Sequence, residues 1–249
     1  MENNIEEQNI AEEQVKQEEV TSNPMAKPNI EHPLSGGFPL LNRYFGRHQK
    51  LVTYLGGGVV ILLAGILIYV YAILGPQEEE AKRLIFHAQR YFEVDSMKLA
   101  LNGDGRNPGF LEITDDYSMT KTGNLAKYYA GIALLKTGKY EDAIDYLKGF
   151  KTTSHLIGPM SLGAIGDAYS MLKQYDDAAS YYMKAAKRDD NQLTAPYFYK
   201  KAGLVYEQLK QYDDAVDVYQ RIKDKYKDSQ QGIDIDKFLA RAQAGASSK

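Results

Sequence analysis

The sequence predicts an all-α chain, a single transmembrane helix followed by an α-solenoid of helical hairpins. Three observations predict it. Residues 51–74 run for 24 positions without a charge. The hexapeptide KQYDDA occurs at 173–178 and unchanged at 210–215, with GKYEDA at 138–143, so one unit is written three times at spacings of 35 and 37 residues. Within the units apolar residues recur at three and four positions, as in Tyr199, Ala202, Gly203 and Tyr206, which is helical spacing; none alternates as a strand does.

In chain order, residues 1–38 form an acidic tail. Its start, MENNIEEQNIAEEQVKQEEV, is rich in Glu, Gln and Asn and offers too little apolar surface to offset chain entropy, so it is expected to be disordered. Residues 39–50, PLLNRYFGRHQK, are basic and lie next to the apolar run. As a helix they place Leu40, Leu41, Tyr44 and Phe45 on one face, with Arg43, Arg47 and Lys50 off it. That pattern fits a short interfacial helix on an anionic leaflet and fits the plain flank of an anchor equally well.

Residues 51–74, LVTYLGGGVVILLAGILIYVYAIL, would be about 36 Å long as a helix, against a hydrocarbon core of about 30 Å. The run is too long, and starts too far along the chain, for a cleaved signal peptide, and is expected to stay as an anchor. Gly58 and Gly65, with Ala64 beside them, are candidates for close packing against another helix in the bilayer. Arg43, Arg47 and Lys50 lie within eight residues of its N-terminal end, and only Lys82 lies that close to the other end. This favours a cytoplasmic N-terminus with residues 75–249 outside. Over twenty residues the counts are equal at three each, so the opposite orientation stays open.

The three copies align well beyond the hexapeptide. Gly131, Gly166 and Gly203 are each followed nine residues later by tyrosine and twelve residues later by Ala143, Ala178 or Ala215. Small residues at such positions let two helices approach closely. This 34–37-residue unit resembles the tetratricopeptide repeat, a helix–turn–helix module, with repeats at 124–158, 159–195 and 196–229. The acidic pairs Glu141/Asp142, Asp176/Asp177 and Asp213/Asp214 fall where each second helix begins and complement its dipole. Their recurrence marks them as architecture and not as catalytic carboxylates. Residues 75–123 read as capping helices or a degenerate repeat, with Leu84, Ala88, Tyr91 and Phe92 on one face through residue 100. GDGRNPG then breaks the chain, and Phe110, Ile113 and Tyr117 resume helical spacing. Residues 230–249 supply a final capping helix through Ile235, Phe238, Leu239 and Ala242, ending in a frayed GASSK tail.

Several function classes are excluded or disfavoured. The chain has no cysteine, which removes thiol nucleophiles, disulfides and Cys-ligated metals. The histidines at 32, 48, 87 and 155 stand in no metal-ligand spacing. Residues 75–249 carry 25 acidic and 25 basic side chains, interspersed, so they lack the basic patch that nucleic acid requires. No nucleophile–base pair or phosphate-cradling loop emerges, and neither catalysis nor a cofactor is expected.

The resemblance to tetratricopeptide repeats implies that positions 2, 5, 9, 12 and 13 of each copy line a concave protein-binding groove. These are Leu125, Tyr128, Ile132, Leu135 and Lys136 in the first copy, and Met160, Gly163, Asp167, Ser170 and Met171 in the second. The third supplies Tyr197, Lys200, Leu204, Glu207 and Gln208. For Ile132, Leu135 and Leu204, groove and core remain equal readings. Tyr128 and Ile132 stand where some family members carry the Lys and Asn of a carboxylate clamp, so that mode of binding is not expected here. The layout, and GAIGDAYSMLKQYDDAASYYMKAA at 163–186 in particular, is similar to the YfgM-like family of ancillary Sec-translocon subunits, from which the longer tail and the extra repeat at 196–229 depart. That resemblance implies a single-pass protein of the bacterial inner membrane. Its periplasmic repeats would recruit a periplasmic chaperone or prolyl isomerase to the Sec translocon, or meet emerging polypeptide. The competing expectations are a scaffold for envelope assembly or cell division, and an import receptor with cytosolic repeats.

Overall fold

The computed structural model describes residues 49–248. The acidic tail expected at 1–38 and all but the end of the juxtamembrane segment at 39–50 lie outside the described residues. Within them the chain is all-helical, with no strand, and it divides into two compact units after Leu63.

Helix α1, Gln49–Tyr69, carries the apolar run. A π turn at Val70–Leu74 follows, where Gly75 N–H donates to Val70 O, five residues back. Pro76, which has no N–H to give and whose ring crowds the preceding turn, accounts for this local widening. Beyond it α2, Gly75–Glu93, continues the same helix, and the stretch Thr53–Glu93 is long and apolar enough to cross a membrane. Side chains 53–73 are all exposed, and a Cβ added at Gly58 or Gly65 would meet nothing within 4 Å. Apolar side chains that no other described residue covers suit lipid contact.

From α2 onward the helices pack in sequence order. They are α3 (Met97–Asn102), α4 (Phe110–Asp116), α5 (Lys121–Lys136), α6 (Tyr140–Gly149), α7 (Ile157–Met171), α8 (Tyr175–Arg188), α9 (Thr194–Gln208), α10 (Tyr212–Lys225) and α11 (Ile235–Ser247). The pairs α5/α6, α7/α8 and α9/α10 are hairpins, and the second helix of each packs on the first helix of the next, so that α11 closes the stack against α10. This is a helical-repeat solenoid of the tetratricopeptide kind. Its core is built of small residues against a few large ones: Ala143, Ala178 and Ala215 are fully buried, and Phe110, Phe198 and Tyr219 fill the space beside them.

The recurrent glycine is explained by what lies across the hairpin. A Cβ at Gly131 would sit 2.5 Å from Leu147, at Gly166 2.7 Å from Tyr182, and at Gly203 2.3 Å from Tyr219. Each large residue follows its glycine by sixteen positions, so the second helix returns one bulky side chain onto bare backbone. The turns inside the hairpins are equally regular. Gly138, Lys173 and Lys210 are left-handed, with φ of 81°, 59° and 61°. Lys139, Gln174 and Gln211 then donate N–H bonds back to Leu134, Tyr169 and Tyr206 carbonyls, the six-residue closure of a Schellman motif.

The same turn occurs a fourth time. Asp95 has φ of 60°, and Ser96 N–H donates to Tyr91 O. The helix expected to run on to residue 100 therefore ends at Glu93, and Ala88 and Ala100 hold the positions that Gly131 and Ala143 hold one hairpin later. The GDGRNPG break is held by the Asp104 carboxylate, which accepts from the N–H groups of Arg106 and Asn107, from Asn107 Nδ2 and from Tyr91 Oη. At the other end the expected frayed tail is helical to Ser247, because Gly245 packs on the Tyr212 ring, where a Cβ would lie 2.6 Å away.

Candidate binding cleft

The first helices α5, α7 and α9 stand side by side, and polar caps fix where two of them begin. Ser154 Oγ accepts from the N–H groups of Leu156 and Ile157, and Asn191 Oδ1 from those of Leu193 and Thr194. These bonds satisfy helix donors that would otherwise be orphaned, and they present Leu156 and Leu193 at the start of α7 and α9. Four residues on, Met160 and Tyr197 lie on the same faces. All four side chains are exposed, Leu193 by 67%.

Together with Tyr128 of α5 these side chains line a cleft of about 540 Å³, completed by Ile157, Thr194 and the amides Gln192, Gln230 and Gln231. Tyr128 is half-buried, its ring 5.3 Å from that of Phe150 and 5.7 Å from that of Tyr129. Burial pushes its phenol above the usual tyrosine value, so it remains a neutral donor. Tyr197 meets Phe198 edge-on at 5.0 Å. Phe198 in turn packs against the backbone of Gly163, where a Cβ would sit 1.9 Å from the ring. That contact brings α7 and α9 close together.

Three of the sequence-predicted groove residues thus meet in one cleft: Tyr128, Met160 and Tyr197. Ile132 and Leu135 are half-buried and pack against the cluster of Ile144, Leu147 and Ile165, so they serve the core as well as the surface. Leu125 and Ser170 are half-buried, whereas Met171, Leu204 and Gln208 are exposed outside the cleft.

The charged predicted residues are bound within the chain. Lys136 Nζ is 2.9 Å from Asp95, and Lys200 Nζ is 3.1 Å from Asp234 and 4.3 Å from the centre of the Phe238 ring. Asp167 accepts from Tyr182 Oη at 2.6 Å and pairs with Lys201 at 2.5 Å. Glu207 accepts from Tyr219 Oη at 2.7 Å and takes both Arg241 Nε and Nη2, at 2.6 and 2.9 Å. Each of the last two carboxylates therefore joins its own hairpin to the helix 34 residues further on. The Tyr182 phenol is raised far above its usual range by burial and then by the Asp167 charge. Burial and the hydrogen bond to Glu207 do the same for Tyr219. Phenols locked in the protonated form can donate but cannot act as bases or nucleophiles.

Sequence reasoning did not single out the loop residues Leu156, Leu193, Gln192, Gln230 and Gln231. A signal for the leucines was present: SHLIGP at 154–159 and NQLTAP at 191–196 share a cap, a leucine two later and a proline five later, at the repeat spacing of 37. No curated protein matches the chain. Residues 164–229, from within α7 to just past α10, match the family model of the tetratricopeptide repeat.

Proposed function

We propose that the chain is a membrane-anchored, non-catalytic adaptor, and that a protein or peptide segment of its partner lies in the cleft formed by Tyr128, Met160 and Tyr197. The division of the stack into repeats at 124–158, 159–195 and 196–229, with 75–123 and 230–249 as ends, belongs to this reading. What supports it is one observation: the exposed Leu156, Met160, Leu193 and Tyr197 of two successive hairpins converge with the half-buried Tyr128 of the preceding one on a single cleft, in a stack whose charged groove residues are already paired. Apolar anchors in a concave surface are what peptide recognition uses. Confinement to a membrane raises the local concentration of any partner in the same bilayer, so contacts of modest affinity suffice.

The finer reading rests on the resemblance to ancillary Sec-translocon subunits. In it, the N-terminus is cytoplasmic and the repeats lie in the periplasm of a bacterial inner-membrane protein. They recruit a chaperone or prolyl isomerase to the translocon. Photocrosslinking groups placed at Tyr128, Met160 and Tyr197 in cells are expected to capture a protein partner. Adducts that contain no translocon component, chaperone or isomerase would remove the finer reading and leave the adaptor standing; absence of any protein adduct would remove both. Protease added to spheroplasts should digest residues 75–249, and protection would instead favour cytosolic repeats.

A further inference from the structure

We infer that the segment held in this cleft is uncharged and in the polyproline II conformation, with apolar side chains three residues apart. The inference rests on the cleft being the peptide site. The first argument is charge. None of the described residues lining the cleft carries a charge at neutral pH, in a chain of which 25% is charged. The charges predicted for the wider groove, at Lys136, Asp167, Lys200 and Glu207, already have partners within the chain. A charged segment would lose its hydration here and gain no counter-ion.

The second argument is spacing. Leu156 and Met160 on α7, and Leu193 and Tyr197 on α9, form two rows of the same geometry 37 residues apart. Helices packed this closely lie about 8–10 Å apart. A polyproline II segment repeats its side-chain direction every three residues, about 9.3 Å. A strand repeats on one face at roughly 6.7 Å and then 13 Å, and so misses one row or the other. Two turns of α-helix, about 10.8 Å, would also span the rows.

Hydrogen bonding separates those two. A helix satisfies its own backbone, whereas a polyproline II backbone leaves every N–H and C=O unpaired and needs partners beside it. The cleft supplies amides at Gln192, Gln230 and Gln231, with Gln192 also reaching Lys225 O at 3.5 Å. Tyr128 and Tyr197 add the flat aromatic walls against which extended, proline-containing segments dock.

The test uses the full chain in lipid nanodiscs and fluorescence anisotropy with labelled, end-blocked peptides. One is (Leu-Pro-Gln)4; the second has the same composition with leucines two apart; the third is an uncharged alanine-based helix with leucines seven apart. The first should bind at least about tenfold tighter than either other. Leu193→Ser and Tyr197→Ala should each weaken it about tenfold, whereas Met119→Ser, at an exposed position outside the groove, should leave it unchanged. If the helical peptide binds best and is sensitive to Leu193→Ser, the conformation is wrong and the cleft remains the peptide site. If binding of every peptide is indifferent to Leu193 and Tyr197, the cleft reading itself falls. A change of oligomeric state on Leu193→Ser in the absence of peptide would identify a second copy as the occupant and overturn the inference.

Discussion

Replacing Gly203 by alanine adds one methyl group where a Cβ would sit 2.3 Å from Tyr219 Cε1 and 2.6 Å from Cζ. Two effects oppose each other. In an unencumbered helix the change would stabilise by about 1 kcal/mol, because alanine loses less backbone entropy than glycine. Here the Tyr219 ring is fully buried and its hydroxyl is held by Glu207, so it cannot swing aside without breaking that bond. Overpacking of this kind costs about 1–3 kcal/mol, and loosening the phenol–carboxylate bond adds about 1 kcal/mol. Clash wins, and the net loss is expected to be about 1–3 kcal/mol. For a solenoid of this size that lowers the melting temperature by roughly 2–4 °C per kcal/mol, read by circular dichroism of the full chain in micelles. Hydrogen exchange should accelerate in α9, α10 and α11 before it does in α5. In a Tyr219→Ala background, which empties the space opposite, Gly203→Ala should cost less than in the parent, a measurable coupling. A Gly203→Ala protein as stable as the parent, or more so, would refute the close-approach explanation of the repeated glycine.

Lys173→Gly and Lys210→Gly relieve a left-handed backbone at each position and should each stabilise by about 0.5–1 kcal/mol, seen as a higher thermal midpoint. Glu78 accepts from Thr122 N–H at 3.1 Å and Thr122 Oγ1 at 2.9 Å, capping α5 from 44 residues away. Glu78→Ala should therefore cost about 1–2 kcal/mol and speed amide exchange at the start of α5 first. The Asp190 carboxyl is held below its ordinary value by hydrogen bonds from Lys225 and then Tyr226. A depressed acid stabilises the fold fully above its unfolded value near pH 3.9 and loses that contribution as pH falls through the folded value. The stability gap between the parent and Asp190→Asn should accordingly be flat from about pH 5 to 8 and close below about pH 4 in urea titrations.

The hairpins were legible because each one repeats the same compromise of small residue, turn and bulky return, and three copies separate such a signal from chance. The turn at Asp95 was not, because it lies 43 residues before Gly138 and outside the copied hexapeptide, and local apolar spacing runs straight through it. Likewise the helicity of 245–247 depends on Gly245 meeting Tyr212, 33 residues away, which no local pattern encodes. In the cleft, Tyr128, Met160 and Tyr197 followed from their places in the repeat. Which charged groove positions are occupied did not, since Asp167–Lys201 and Glu207–Arg241 each reach a helix 34 residues further on, beyond their own hairpin. Leu156 and Leu193 were overlooked because an exposed leucine in a loop carries no periodicity of its own.

The seam tyrosines carry a spectroscopic consequence. With twenty tyrosines and no tryptophan, the chain's ultraviolet emission belongs to phenol alone. A phenol that donates to a carboxylate is a quenched emitter, and Tyr182 and Tyr219 are each in that state, one tying α8 to α7 and the other α10 to α9 within their hairpins. Opening of either hairpin should brighten the protein without any attached dye, so the repeat reports on its own loosening.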